Sequence, residues 1–301
     1  MGFIAVDNKK IYGNVVKKYD LLKNDMDFYC ENNNIYIVCD TNPIIKFGKL
    51  IFATRIDLFR VSNNCEVENL KFMYTGSNVL VKRNYPINNV YIHNCVIDTN
   101  GGSKSNTSTE NEIARYGNGI EFWCGASNVI IENNYLNNIY DAGITLQGSG
   151  GEFNNIIIRN NIIVNTCYSF ELWASDKSLG INNIKIYNNY SINEGKGWGQ
   201  SVRPNPYNSA NFVFYGFGNN AEMDINIYNN HLFNSTRLYY VLYSIKDRFK
   251  SEIYIDNNYY FNDEELKYYV NDIKSDNAKS YLGTEYNIEK ILYLENCQIV
   301  N

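Results

Sequence analysis

One short phrase recurs down this 301-residue chain and leaves few folds open to it. It reads VYIHNC from Val90, VIIENN from Val129, IIIRNN from Ile156, IKIYNN from Ile184, INIYNN from Ile225 and IYIDNN from Ile253. The first asparagine of each copy falls at Asn94, Asn133, Asn160, Asn188, Asn229 and Asn257, so successive copies lie 39, 27, 28, 41 and 28 residues apart. VENLKF supplies an earlier copy at Asn69, 25 residues before Asn94. The base period is therefore 25 to 28 residues, with roughly a dozen extra in each of two turns. Self-similarity at such a period marks a stack of units, none of which buries its own apolar face alone.

Within a copy the apolar residues alternate, as in Ile156 and Ile158 or Ile184 and Ile186, the period-2 signature of a strand with one buried face. Asparagine then ends the strand, and it suits a tight corner because it tolerates left-handed backbone. A further asparagine follows five residues after the first, at Asn138, Asn165, Asn193, Asn234 and Asn262. Stacked turns would align such residues into amide ladders. These features predict an all-β chain, a right-handed single-stranded parallel β-helix of about seven or more coils over residues 61–262. Residues 1–60 read as an N-terminal cap or the remnant of a preceding β region. Residues 263–301 read as a C-terminal cap, with Asp263–Ile273 (DEELKYYVNDI) spaced like a short helix.

A second phrase precedes three of the corners: NGIEFW from Asn118, AGITLQ from Ala142 and YSFELW from Tyr168. Aligned by the corners, Ile120, Ile144 and Phe170 point inward, as do Phe122, Leu146 and Leu172. The outward columns are then Glu121, Thr145, Glu171 and Trp123, Gln147, Trp173, with Val213 and Tyr215 continuing them. A row of indole, amide and carboxylate suits a sugar chain, whose apolar ring faces stack on indole while its hydroxyls bond to polar groups. The plainer alternative is that the two tryptophans only cover the coil beneath a loop. Both insertions flank this strand, Gly101–Tyr116 and Gly195–Ala210, and loops that outgrow a repeat tend to be functional. They offer Arg115, Tyr116, Trp198, Gln200 and Arg203. Asp141, at the corner before AGITLQ, is either a turn cap or a third carboxylate beside Glu121 and Glu171. Coils stack ~4.8 Å apart, so Glu121 and Glu171 lie roughly 10 Å apart, with Asp141 one step from each coil. Inverting glycosidases hold their carboxyls ~6.5–9.5 Å apart and retaining ones ~5–5.5 Å. The expected catalytic set is Asp141, Glu171 and Glu121, with Glu171 as the acid. The expected substrate-binding set is Trp123, Gln147, Trp173, Trp198, Arg203, Arg115, Tyr116, Thr145 and Tyr215.

The formal net charge of −5 disfavours nucleic acid, which needs clustered Lys and Arg. No apolar run reaches the ~18 residues of a membrane span, and the opening lacks the apolar core of a signal peptide. The expected location is extracellular if an upstream part exists and otherwise cytoplasmic or phage-encoded. Seven scattered cysteines without a C-x-x-C suggest buried thiols rather than disulfides or zinc, Cys95, Cys124 and Cys167 in particular. His93 occupies a slot held elsewhere by charged or tyrosine residues and reads as solvent-facing.

RYGNGIEFW, IYDAGITLQG, CYSFELW and GKGWGQSVRPNP, in that order, resemble bacterial right-handed β-helix proteins of the pectin-lyase-like superfamily. DFYCENNNIYIVCDTNP resembles the segment that precedes the helix in such proteins. The resemblance covers most of residues 25–262. It implies a glycoside hydrolase or polysaccharide lyase acting on an extended poly- or oligosaccharide. Hydrolysis by paired carboxylates, without a cofactor, is the expected reaction. The alternatives are β-elimination or C5 epimerisation of a uronate, with Arg203, Arg115 or Lys196 as the cation and Ca²⁺ only in the lyase case, or a non-catalytic glycan-binding or tailspike-like protein. The columns lack the dense Asp cluster of a calcium site. The sugar, its linkage and the oligomeric state are left open.

Overall fold

The computed structural model describes residues 1–6, 13–106, 108, 114–148, 150–174, 177–203, 209–216, 222–236, 239–243, 250–261, 268–270, 292–295 and 298–300. Three eight-stranded parallel sheets dominate it, each taking one strand from every turn of the chain. The first sheet runs from Cys65–Glu68 to Leu292–Glu295 and contains the repeated apolar phrase. The second runs from Lys71–Thr75 to Gln298–Val300 and follows the asparagine corner. The third runs from Phe59–Arg60 to Tyr268–Val270 and carries the second phrase. Eight strands in each sheet make eight coils of a parallel β-helix among the described residues.

The corner asparagines perform the turn that their chemistry allows. Asn69, Asn94, Asn133, Asn160, Asn188, Asn229 and Asn257 all have φ between 48° and 56°, a left-handed conformation that costs Asn less than most residues. The second asparagine of the pair builds the ladder. Asn134 Nδ2 donates to Asn161 Oδ1, Asn161 to Asn189 and Asn189 to Asn230, each at 3.0 Å, and Asn230 donates to Asn258 at 2.9 Å. These amides are at most 2% exposed, so their bonds form where an unpaired polar group would be costly. The column five residues on also adopts left-handed φ at Asn138, Asn165, Asn193 and Asn234, while Asn262 lies outside the described residues. A fourth asparagine column, Asn64, Asn89, Asn128, Asn155 and Asn183, bends the first sheet's strands at φ 52° to 57°.

Inside, like side chains stack on like. The column Val90, Val129, Ile156, Ile184, Ile225 and Ile253 and its neighbour Ile92, Ile131, Ile158, Ile186, Ile227 and Ile255 are paired coil to coil. All belong to one apolar cluster extending from Val61 to Ile255. Each such side chain contributes about 1.5–3 kcal/mol on burial. No coil obtains this without its neighbours, which rigidifies the strand face opposite.

Residues before the first coil form short strands outside the repeat. Phe3–Val6 pairs antiparallel with Leu50–Ala53, and Asn14–Val15, Asp27–Glu31 and Asn34–Ile37 form a separate small sheet. Two expectations are corrected. Within the segment expected to be a helical cap, Tyr268–Val270 is a strand paired in parallel with Tyr239–Val241; pairing with the coil below overrides local helical spacing, and residues 263–267 and 271–273 lie outside the described set. His93 is not solvent-facing but 7% exposed, stacked on Tyr91 at 3.9 Å and bonded to Glu66 Oε1 at 2.9 Å. Among the described residues no helix is long and apolar enough to cross a membrane.

Candidate active site

The register of the third sheet sets the chemistry. Glu121 pairs with Thr145 and Thr145 with Glu171; Trp123 pairs with Gln147 and Gln147 with Trp173. Val213 and Tyr215 extend the two columns. The alternate residues Ile120, Phe122, Ile144, Leu146, Phe170 and Leu172 are at most 1% exposed and face the core. Strand alternation therefore places both carboxylates on the outer side.

That outer side is nevertheless largely covered, which corrects the expectation of an open row. Thr145 and Val213 are fully buried, Glu121 is 4% exposed, and Glu171 and Gln147 are 8% exposed. Among the described side chains of the two columns only Trp123 and Trp173 are half-buried, and they meet edge to face with centroids 5.4 Å apart. Thr145 is walled in by the longer side chains above and below it in its column. The site is thus a pair of indoles beside a column of buried carboxylates, rather than a flat platform.

Glu171 is the most perturbed of these groups. Thr145 Oγ1 donates to its Oε2 at 2.8 Å and Gln147 Nε2 donates to the same oxygen at 2.6 Å. Burial, followed by the negative charge of Asp141, pushes its carboxyl up to about 7 against the pull of these two bonds, and Glu121 adds to the rise. With two donors on Oε2, the acidic proton belongs on Oε1. Glu121 is also raised, by burial, with the Arg83 charge and the Asn118 bond opposing. Asn118 Nδ2 donates to Glu121 Oε2 at 2.6 Å, and Arg83 Nη2 lies 3.5 Å from Oε1.

Asp141 belongs to the same electrostatic unit, because its charge raises both glutamates. Its corner is fixed by the backbone: Asp141 N–H donates to the Gly117 carbonyl at 3.1 Å, and Cys167 N–H donates to the Asp141 carbonyl at 3.1 Å. Arg203, from the second insertion, donates from Nη2 to Asp141 Oδ1 at 2.8 Å and to the Tyr140 carbonyl at 3.1 Å. Its guanidinium also lies over the Tyr140 and Tyr168 rings, at 4.9 and 5.6 Å. Arg203 is therefore committed to holding a carboxylate of the protein itself. Cys167, beneath it, has a thiol pushed up to about 12 by burial and donates to Gln200 Oε1 at 3.1 Å, which is a packing role.

Three residues expected in the groove stand elsewhere. Trp198 is 6% exposed; its indole N–H donates to the Asn138 carbonyl at 2.9 Å, and its ring packs on Phe3 and Tyr140. A Cβ on Gly102 would come within 2.6 Å of that ring, so the loop closes over Trp198 and leaves no face for a ligand. Arg115 donates to the Gly102 and Gly2 carbonyls at 2.6 and 2.9 Å and stitches the N-terminal strand to the first insertion. Tyr116 lies to one side, its hydroxyl receiving Arg55 Nε at 2.9 Å and facing Ser77 Oγ at 3.1 Å.

Sequence reading missed Asn118 and Arg83, the two partners of Glu121. Asn118 opens the phrase NGIEFW and was within reach of inspection. Arg83 directly follows the Leu80–Lys82 strand, without an insertion or repeat to draw notice. A search of curated proteins gives no match to the chain. Residues 56–194, which include Glu121, Asp141, Glu171 and both half-buried tryptophans, match the family model described as "Right handed beta helix region". With eight coils of parallel strands around one core among the described residues, the chain is a right-handed parallel β-helix protein.

Proposed function

We propose that this protein cleaves glycosidic bonds of an extended glycan by hydrolysis, with Glu171 as general acid. The observation that carries this reading is a carboxyl pushed up to about 7 in the column beside a pair of half-buried indoles. A carboxylic acid that retains its proton near neutral pH is what protonation of a leaving glycosidic oxygen requires. Asp141 is the complementary group. Arg203 bonds its Oδ1, which leaves Oδ2 to orient and deprotonate the attacking water. Glu121, whose charge helps to keep Glu171 protonated, tunes the acid. Trp123 and Trp173 stack on sugar faces, and Gln147, between them, holds Glu171 in place. The fold is consistent with carbohydrate-active proteins of the pectate-lyase-like superfamily.

Elimination is the weaker reading on a specific ground. A lyase needs a cation at the carboxylate of the very sugar it cleaves; of those expected there, Arg203 is engaged with Asp141 and Arg115 with backbone carbonyls, and Lys196 stands exposed. The test is incubation with a panel of neutral and acidic polysaccharides, following new reducing ends and the ultraviolet absorbance of unsaturated sugars. Reducing ends without absorbance, lost in Glu171→Gln, support hydrolysis. Absorbance from the wild type, or unchanged turnover in Glu171→Gln, overturns it.

A further inference from the structure

One cavity near the candidate site carries a charge of the opposite sign. It has a volume of about 530 Å³, and Arg55, Arg60, Arg83, Asp57, Ser77 and Tyr116 are among its lining residues. Its size falls within the range of ligand clefts. Three guanidiniums face a single lining carboxylate, that of Asp57, and this carboxylate is spread thinly among them. Arg83 Nε lies 3.7 Å from Asp57 Oδ2 and Arg60 Nη2 lies 4.0 Å from it, while Ser77 Oγ donates to Oδ1 at 2.8 Å. Arg55 is held by neutral oxygens instead, the Tyr116 hydroxyl at 2.9 Å and Asn106 Oδ1 at 3.0 Å. The pocket therefore presents under-neutralised guanidiniums, of which Arg55 is held in place by hydrogen bonds, and guanidinium matches oxyanions in shape and charge.

Its position along the fold connects it to the glycan face. Arg60 pairs with Val81 and Val81 with Glu121, so Arg60 belongs to the same column as Glu121 and Glu171. Arg83 spans the two regions, lining the cavity while its Nη2 lies 3.5 Å from Glu121 Oε1. A chain laid along the third sheet toward the N-terminal coils thus arrives at the arginines.

We propose that this cavity is an oxyanion subsite, in which Arg55, Arg60 and Arg83 bind a carboxylate or sulfate group borne by a sugar unit of the bound glycan. The proposal rests on the reading that a glycan lies along the third sheet, and it names the class: a chain with an acidic unit a few subsites from the scissile bond. Tyr116 acquires its role here, since its hydroxyl orders Arg55 at the cavity wall.

Isothermal titration with three probes tests it directly: inorganic sulfate, a free hexuronate and the neutral hexose of the same configuration. The wild type should bind sulfate or the hexuronate and discriminate against the neutral sugar. Arg55→Gln combined with Arg60→Gln should weaken that binding by about tenfold or more, the loss expected for charge-assisted bonds. The Arg60 side chain is 82% exposed, so Arg60→Gln alone leaves folding intact and should give part of the loss. Lys46→Gln, remote and paired with Asp25 and Asp40, should change nothing. Sulfate binding without hexuronate binding assigns the subsite to sulfate esters, and the reverse assigns it to uronates. Failure of both anions to bind, or equal binding by the arginine variant, overturns the proposal. Cleavage of neutral glycans without anion binding would remove the subsite and keep the hydrolase; anion binding without cleavage of any glycan would do the opposite.

Discussion

Replacing Glu171 by Gln should abolish a pH dependence of stability, whether or not a substrate is known. In the folded protein, burial and the Asp141 charge push this carboxyl from 4.5 up to about 7; in the unfolded chain it titrates at its ordinary value. Between these values the folded state holds a proton that the unfolded state has released, so stability falls as pH rises through the window. The gap is about 2.5 pH units, and one unit is worth about 1.4 kcal/mol, giving roughly 3 kcal/mol fully present below pH 4.5 and lost by pH 8. Gln keeps a carbonyl oxygen for the Thr145 and Gln147 donors and mimics the protonated acid. Urea unfolding at pH 5 and pH 8, followed by far-ultraviolet circular dichroism, should show wild type and variant similar at pH 5. At pH 8 the variant should be the more stable. Parallel pH dependence in the two proteins would refute the assignment of the raised carboxyl to Glu171.

Thr145→Val removes one bond that favours ionised Glu171 and should move the alkaline limb of the cleavage profile up by about one pH unit, read from kcat/KM against pH. Arg203→Met leaves Asp141 without its ion pair and should cost about 3 kcal/mol in urea denaturation, with activity lost even where the protein is folded. Asn161→Ala deletes the acceptor of Asn134 and the donor to Asn189. It should cost about 2–3 kcal/mol, with hydrogen exchange accelerated first at the neighbouring corners. Trp173→Ala should weaken glycan binding by roughly tenfold in titration calorimetry, without altering the pH profile.

The repeat was legible because two independent periods coincide in it. Alternation fixed which residues face inward, and the asparagines fixed where each coil turns, so the pairing of Glu121 with Thr145 and of Thr145 with Glu171 followed by counting. The fourth asparagine column was equally readable. Asn64, Asn89, Asn128, Asn155 and Asn183 each stand five residues before a corner, a period visible without coordinates. Burial of the outer column was not readable, since it depends on how the side chains of successive coils bond across it, as Thr145 and Gln147 do to Glu171. For the same reason Trp198 and Arg115 were misplaced: a loop's composition does not tell which way an indole or guanidinium turns. Nor does spacing reveal that Arg203 is claimed by Asp141, a partner 62 residues away. At Tyr268–Val270 local helical spacing was a true signal that pairing with the coil below outweighed.

The asparagine ladder has a polarity that bears on how such a chain lengthens. Each amide gives its hydrogens to the following coil's Oδ1 and to a carbonyl of the preceding one, as Asn161 does toward Asn189 and Ile131. Every interior rung is chemically interchangeable with the next, so duplication of one whole turn inserts a rung without creating a mismatch. A fractional turn would strand an amide in the core. At the N-terminal end a thiol replaces the amide: Cys95 N–H donates to Asn134 Oδ1 at 2.9 Å, and its Sγ donates to the Val67 carbonyl at 3.6 Å, the bond that an amide makes in the following coils. Tandem duplication of whole turns beyond Cys95 thereby offers a route to a longer groove built on the same corner.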